Sequence, residues 1–450
     1  RAIGERRFIT IPEPRTLEIQ QVVRAMNELS ARIKSVLGQE AKRLQKWQRE
    51  AHVDKITGLN NREPFLKELE TALESDDVNA TGSLSLVRIT RLAQMNQLYG
   101  RATMDSVLKD IGSALNKITM AHSRWSASRL NGSDFALLAP RAMDPKEAAQ
   151  EMLDGIREVL EARSVNNDVK LPCATTIYVH GDTIGKLMTR LDGALMSNEK
   201  EGNGQISVAY EGDIQVQPVR QQLDRWRGVL ERSFKDHNFE LDFYPLVGLE
   251  RELIHYEAPV RLNWEGERLS AGVFLPWVNR LELSHELDRQ VIDLALQHIK
   301  GTGHATAVNL SVAAVVEPDF LAWLSERLSS NADAAARLYV EIPEAMAFRH
   351  LAAFKMLCGR AKAHDTRVGI EHVGHQLSEL GNLSDTGLDY LKIDASFVRD
   401  VDDNAANQTL LRTLCTVGHS IGLQVYAEGV RNEAEWSALQ ELGVDGATGP

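Results

Sequence analysis

From Gln221 to its end the chain alternates short apolar runs with helical stretches, and no other feature restricts the fold as strongly. The strand candidates are Leu241–Tyr244, Leu253–Pro259, Ala305–Leu310, Leu338–Ile342, Val368–His372, Tyr390–Ile393 and Gln424–Ala427. Helical runs separate most of them. Strand–helix units repeated over ~230 residues predict an α/β barrel. In such barrels the C-terminal ends of the strands carry the site. Here those ends hold Glu257, Asn309, Glu341, His372, Asp394 and Glu428. Oxygen ligands with one imidazole suit a divalent cation or a polar ligand.

Residues 51–212 have a different rhythm. Ser83 to Ile89 alternates polar and apolar, the pattern of a half-buried strand. Val107, Leu108, Ile111, Leu115 and Ile118 have helical spacing, and Phe135–Leu138 and Ala174–Val179 read as further strands. Gly204, Gly212 and Pro218 mark residues 203–220 as a linker. Residues 15–50 read as one helix, capped by Thr16 after Pro12 and Pro14. Val22, Met26, Leu29, Ile33 and Val36 form a heptad seam. The stripe then shifts to Leu37, Ala41 and Leu44, a stutter that locally unwinds a coiled coil. The seam predicts a parallel dimer; a single amphipathic helix lying on its own domain is the other reading.

The net charge of −12 argues against a general affinity for DNA or RNA, which usually needs a basic face. No run approaches the ~18 apolar residues of a membrane span. Cys173, Cys358 and Cys415 have no paired spacing and are read as small core residues. The chain opens on Arg1 and closes on Thr448-Gly449-Pro450, and the expectation is a portion of a longer protein.

Several blocks carry a family resemblance. Asp54-Lys55-Ile56-Thr57-Gly58-Leu59-Asn60-Asn61-Arg62 resembles the opening motif of GGDEF domains. Tyr256-Glu257-Ala258, Val308-Asn309-Leu310-Ser311, Leu391-Lys392-Ile393-Asp394 and Ala427-Glu428-Gly429-Val430 resemble four blocks of EAL domains. The chain therefore resembles tandem GGDEF–EAL proteins, which make, break or sense cyclic di-GMP. The resemblance implies a multidomain α+β and α/β fold. A partial HAMP and signalling helix would span 1–50, a GGDEF domain 51–212, and an EAL domain, a modified TIM-type barrel, 213–450.

The departures shape the expected function. The cyclase signature loop reads Asn131-Gly132-Ser133-Asp134-Phe135, with Ser133 where the family places an acid. Arg88 stands at the position of a metal aspartate and Thr90 at that of a second acid; a guanidinium is no cation ligand. The guanine-contacting pair matches Asn96 and Asp105, and the product-inhibition motif is replaced by His122-Ser123-Arg124-Trp125. In the EAL domain Glu257, Asn309 and Glu341 match metal ligands, Lys392 the water-orienting lysine and Glu428 a further acid. The bridging Asp-Asp pair instead reads Glu371-His372, and the loop after it is Gly374 to Leu380. Drift also falls at Pro259, Phe243, Asn279 and Thr448. Two-metal hydrolysis needs carboxylates that bridge the ions, and imidazole does not bridge them as a carboxylate does.

The expectation is a catalytically inactive receptor that requires no cofactor and no metal, binding of Mg or Mn being the lesser alternative. Cyclic di-GMP would be bound by Tyr244, Glu257, Arg261, Asn309, Glu341, Glu371, Lys392, Asp394 and Glu428. Arg261 suits a phosphate, through two parallel hydrogen bonds. His364, His372, His375 and His419 are read as surface or hydrogen-bonding residues. Residues 12–27 resemble the second half of a HAMP relay, which follows a membrane span. The whole resembles LapD-type receptors of the bacterial inner membrane. These are dimers through helix and EAL domain that sense cytoplasmic cyclic di-GMP, sequester a periplasmic protease and so govern adhesion in biofilms. In the absence of ligand the signalling helix would occlude the EAL mouth. The alternatives are a weak or partner-activated phosphodiesterase using Glu371 and His372 as substitute ligands, and a nucleotide-independent scaffold.

Overall fold

A computed structural model of the chain describes residues 23, 24, 28, 52–122, 124–165, 169–201, 205–209, 219–383 and 386–449. Val23, Arg24 and Glu28 apart, the expected long helix, its seam and stutter, and the HAMP-like half lie outside the described residues. Two compact units are present.

One unit comprises Arg49–Asn238 with Leu262–Glu282. Its strands are β1 (Gly82–Arg88), β2 (Ser126–Arg129), β3 (Asp134–Pro140), β4 (Cys173–Tyr178) and β5 (Ile206–Val208). They form a sheet in the order β2-β3-β1-β4-β5. Strand β1 is antiparallel to both β3 and β4. Side chains alternate across the sheet. Leu84, Leu86, Ala136 and Leu138 pack with Phe65, Leu69, Leu187 and Leu191 from helices Arg62–Glu74 and Ile184–Glu201. Val87, Phe135 and Leu137 pack with Ile111, Leu115, Met152 and Ile156 from helices Arg101–Ala121 and Pro145–Ala162.

Helices on both faces correct the half-buried reading of Ser83–Ile89: Ser83 and Ser85 are fully buried. Their hydroxyls are satisfied, Ser85 by Thr175 Oγ1 at 2.8 Å and Ser83 by the Ala142 carbonyl. The expected linker is also shorter, because β5 pairs in parallel with Cys173–Thr175. A three-residue edge strand carries almost no periodic signal.

The other unit includes Phe239–Arg261 and Leu283–Pro450. Its strands are β6 (Phe239–Leu241), β7 (Tyr244–Gly248), β8 (Leu253–Glu257), β11 (Thr306–Asn309), β12 (Leu338–Pro343), β13 (Arg367–Val373), β14 (Tyr390–Ile393), β15 (Gln424–Ala427) and β16 (Gly446–Thr448); β9 (Val260–Trp264) begins in it, and β10 (Glu267–Ser270) belongs to the first unit. A closed barrel runs β11-β12-β13-β14-β15-β16-β7-β8. It is parallel except at β7, which is antiparallel to both neighbours. The expected strand 241–244 breaks at Asp242 and Phe243, and the expected strand 253–259 stops at Glu257, before Pro259.

Inward positions fall in layers, as the period of two requires. Leu246, Ala307, Tyr339, Tyr390 and Tyr426 form one packed layer, with the His255 ring tilted at 40° against that of Tyr339, centroids 4.5 Å apart. A Cβ on Gly369 would lie 2.3 Å from carbons of the Tyr390 ring, so only glycine fits there. Two residues along each strand from this layer stand Tyr244, Glu257, Asn309, Glu341, Glu371, Lys392 and Glu428. The site residues are thus one layer of the barrel. The three cysteines are free and buried, as expected. Among the described residues no helix is long and apolar enough to cross a membrane.

Candidate functional site

Lys392 is the centre of the barrel mouth. Its Nζ donates to Glu341 Oε2 at 2.7 Å and to Glu257 Oε2 at 2.9 Å, and lies 3.6 Å from Glu428 Oε1. The remaining oxygens of the first two carboxylates are engaged as well. Tyr390 Oη donates to Glu341 Oε1 at 2.8 Å, and His255 Nε2 lies 3.0 Å from Glu257 Oε1. The lysine is 4% exposed and Glu341 fully buried.

The electrostatics follow from that burial. Burial alone would raise Glu257, but Lys392 and His255 outweigh it and hold the carboxyl at about 2. Glu341 is pushed well above the usual carboxylate range by burial and by the charge of Glu257. Lys392 rises well above an ordinary amine: burial opposes its charge, and the surrounding carboxylates outweigh burial. Buried charges persist when paired and hydrogen-bonded.

Beside this cluster the ladder is irregular. Ile370 pairs with Leu391 and Val373 with Ile393, so Glu371 and His372 together oppose Lys392. That is a β-bulge, a device that re-aims side chains. His372 adopts a φ of +56°, a left-handed conformation that is uncommon for a residue with a side chain. Its Nδ1 lies 3.1 Å from Glu428 Oε2 and 3.4 Å from Asp394 Oδ2, and His375 Nε2 lies 3.5 Å from the same Asp394 oxygen. Burial would raise Asp394, but the two imidazoles hold it well below the usual range. Asp394 Oδ1 also accepts from Ser396 N–H at 2.9 Å. The loop after the bulge hangs on buried Glu344, which accepts from the Gly374, His375 and Gln376 amides.

The other expected ligand residues lie around this core. Tyr244, 43% exposed, faces Glu257 in register, and Asn309 is exposed at the end of β11. Glu371 is buried. Arg261 is tied to Asp242, its Nε donating to Oδ2 at 2.7 Å, and its Nη1 donates to the Val260 carbonyl. His419 lies at the surface against Asp445. Sequence reading missed His255, Tyr390 and Glu344. The signal for His255 was available: it is two residues before Glu257 on one strand, hence on the same face.

As a cation site, the mouth has a suitable donor set in His255, Glu257 and Glu341, whose ligand atoms lie within 4.8 Å of one another. All four carboxylate oxygens are nevertheless taken by Lys392, Tyr390 and His255. A divalent ion there would have to displace the ammonium, so in this arrangement the residues fit an internal cation rather than a metal.

The GGDEF-like loop is closed in the same way. Arg88 and Asp134 are cross-strand partners. Arg88 Nε donates to Asp134 Oδ1 at 2.8 Å and Nη2 to Oδ2 at 2.9 Å. Asn131 Oδ1 accepts from the Ser133 and Asp134 amides, and its Nδ2 donates to Asp134 at 2.9 Å. Arg129 binds the Gly132 carbonyl at 2.7 Å and Asp54 at 3.1 Å, and Phe135 is fully buried. Burial would raise Asp134, but Arg88, Asn131 and Ser133 hold it low. Asn96 and Asp105 lie on the neighbouring helices Leu92–Tyr99 and Arg101–Ala121.

Comparison with known proteins agrees with this fold. Residues 51–205 match the diguanylate cyclase, GGDEF domain family, and residues 227–450 the EAL domain family. The RNase E specificity factor CsrD of Escherichia coli is 24% identical over 437 residues, 96% of this chain and 65% of CsrD. The chain thus spans a little under two-thirds of that relative's length. The apo S helix-GGDEF-EAL structure of Vibrio cholerae LapD matches with a TM-score of 0.79 at 19% identity, covering 92% of this chain and 98% of that one. The same portion of LapD bound to c-di-GMP matches at 0.52 and 20% identity, covering 91% and 98%. At these identities the likeness to the solved structures is one of fold. With both family matches in order and a closed EAL-type barrel, the chain belongs to the tandem GGDEF–EAL proteins.

Proposed function

We propose that the chain is a catalytically inactive receptor that binds cyclic di-GMP in the mouth of its EAL barrel. The observation that carries this reading is the position of Lys392, which bonds both Glu257 and Glu341 where a hydrolase would hold cations. An internal ammonium lowers the anionic charge of the mouth without supplying a metal-bound hydroxide. It also answers the main electrostatic objection, since a dianionic ligand would otherwise meet five acidic groups uncompensated. Glu371 and His372, opposing Lys392 at the bulge, stand where the bridging aspartates would be. The LapD structure solved with cyclic di-GMP supports the choice of ligand.

The wider role follows as part of the same proposal. The chain is the cytoplasmic portion of a bacterial inner-membrane protein. Residues 1–50 form a signalling helix and partial HAMP relay that dimerises with the help of the EAL domain. The GGDEF domain retains its fold without cyclase activity. The output is periplasmic, sequestration of a protease that controls biofilm adhesion. In the absence of ligand the helix covers the mouth, so removal of residues 15–50 is expected to tighten binding.

A second reading, a metal-dependent phosphodiesterase, draws on the convergence of His255, Glu257 and Glu341. Incubation of the protein with cyclic di-GMP and Mn²⁺ separates the two. Intact dinucleotide at the end supports the receptor; a linear dinucleotide product overturns it.

A further inference from the structure

We propose that Asp288 is a positioning residue for the Asn309 side of the mouth, fixing the segment after β11 through Ser311. The inference rests on the cyclic di-GMP reading above and extends it to a residue outside the barrel interior.

The geometry is compact. Strand β11 ends at Asn309, and the Leu310 amide donates to the Glu341 carbonyl at 2.9 Å. The next residue turns away from the barrel. Ser311 N–H donates to Asp288 Oδ2 at 3.1 Å, and Ser311 Oγ donates to the same oxygen at 2.6 Å. Ser311 Oγ in turn accepts from the Ala314 amide at 3.2 Å, capping the short helix Val312–Val316. Asp288 belongs to the helix Ser284–Thr302 and is 6% exposed. One buried carboxylate oxygen therefore holds both the main chain and the side chain two residues beyond Asn309. Asn309 is bracketed, with Glu341 on one hydrogen bond and Asp288 on two.

A buried carboxylate is a costly way to anchor a turn. Burial pushes the Asp288 carboxyl up to about 7, against the opposing pull of the Ser311 hydroxyl and amide. The elements packed on its helix are β6, β11, β12 and the helices 312–316, Pro318–Ser329 and Ala332–Ala335. Their titratable and charged groups are Glu240, Asp319, Glu326, Arg327 and Asp333, all exposed, and Tyr339 and Glu341, both inside the barrel. The helix itself carries His285, Glu286, Arg289, Asp293, His298 and Lys300, and Arg289 is stacked over Trp323. The groups that act on the carboxyl are those of Ser311. Ionised, it accepts strongly from both Ser311 donors; protonated, it accepts weakly. The segment is therefore held more firmly above neutral pH than below it.

The sign for stability is opposite. A carboxyl raised by burial contributes stability below its ordinary pKa of ~3.9 and loses it as pH rises toward its folded value. A neutral residue at 288 should therefore not lower the melting temperature at about pH 8. Weakened binding without weakened folding is what a merely structural role does not produce.

The test is titration of the full chain with cyclic di-GMP between about pH 6 and pH 8, with melting curves alongside. Wild type is expected to bind more tightly at the higher pH. Asp288→Asn, which keeps an acceptor without the charge, loses that rise and melts no lower. Asp288→Ala and Ser311→Ala weaken binding about tenfold at the higher pH, as when the binding-competent population falls to a tenth. Ser311→Ala keeps the test open should Asp288→Ala fail to fold. Wild-type affinity in both Asp288→Asn and Ser311→Ala, with the pH rise intact, overturns the positioning role alone. Absence of binding by wild type overturns the receptor reading and this inference with it.

Discussion

Lys392 Nζ lies 2.7 Å from Glu341 Oε2, an ammonium and a carboxyl almost wholly removed from water at the mouth of the barrel. With Glu257 on the other side, the lysine occupies the place from which these acids could share a cation. The layer beneath, built from three tyrosines and His255, gives the acids their second contacts.

The first prediction follows from that pair. Lys392→Met leaves Glu257 without its counter-charge and Glu341 without a donor. Breaking a buried ion pair from one side costs roughly 3–5 kcal/mol. Urea unfolding near neutral pH should show a loss of that order in the barrel transition. Unchanged stability would mean that Lys392 is not the counter-ion described.

Arg88 and Asp134 make a second case. Arg88→Ala is expected to destabilise the GGDEF-like unit by about 1–2 kcal/mol, a bidentate pair discounted for partial exposure. The sign with pH is fixed by Asp134, whose carboxyl is lowered in the fold. Its contribution is present above its ordinary pKa of ~3.9 and disappears as pH falls through the lower folded value. The gap between wild type and variant should therefore close in acid. A gap that is constant from neutral pH down to acid would assign the effect to packing instead.

How much of this was legible in the sequence depended on register. Glu257, Asn309, Glu341 and Glu428 were legible at strand ends and Lys392 through the family resemblance, whereas their lying in one layer follows only from the strand registers. Arg88 was legible as a misfit among expected acids, though its pairing with Asp134 was not, since that needs the β1–β3 register. The bulge at Glu371 and His372 was hidden for the same reason: it exists only by comparison with β14. Tyr390 was hidden because a tyrosine inside a strand reads as ordinary core, whereas His255 was legible from its place two residues before Glu257. Strands β5 and β16, three residues each, are too short to show a period; β5 pairs with β4, and β16 with β15 and β7.

Gly369 offers a test of the tyrosine layer. Gly369→Ala would bring a methyl to 2.3 Å from the Tyr390 ring, and Tyr390 is the group that binds Glu341. Overpacking of this kind costs roughly 1–3 kcal/mol. Thermal or chemical unfolding should show that loss, and pairing the change with Tyr390→Ala should recover part of it. Wild-type stability in the single variant would contradict the close approach.

For the ligand, Arg261→Ala and Glu428→Ala are each expected to weaken cyclic di-GMP binding by roughly 1–3 kcal/mol, the range for buried charge-assisted contacts. Arg261 is pre-set for this role by Asp242, which fixes one edge of the guanidinium. Calorimetry reads both. Wild-type affinity in the two variants would remove these residues from the binding surface.

The most direct measurement is an isothermal titration of cyclic di-GMP into the protein with EDTA and, separately, with Mn²⁺. The internal-cation account predicts saturable binding of the same affinity in both, with the dinucleotide recovered intact. Binding that appears only with the metal, or any linear product, would contradict it.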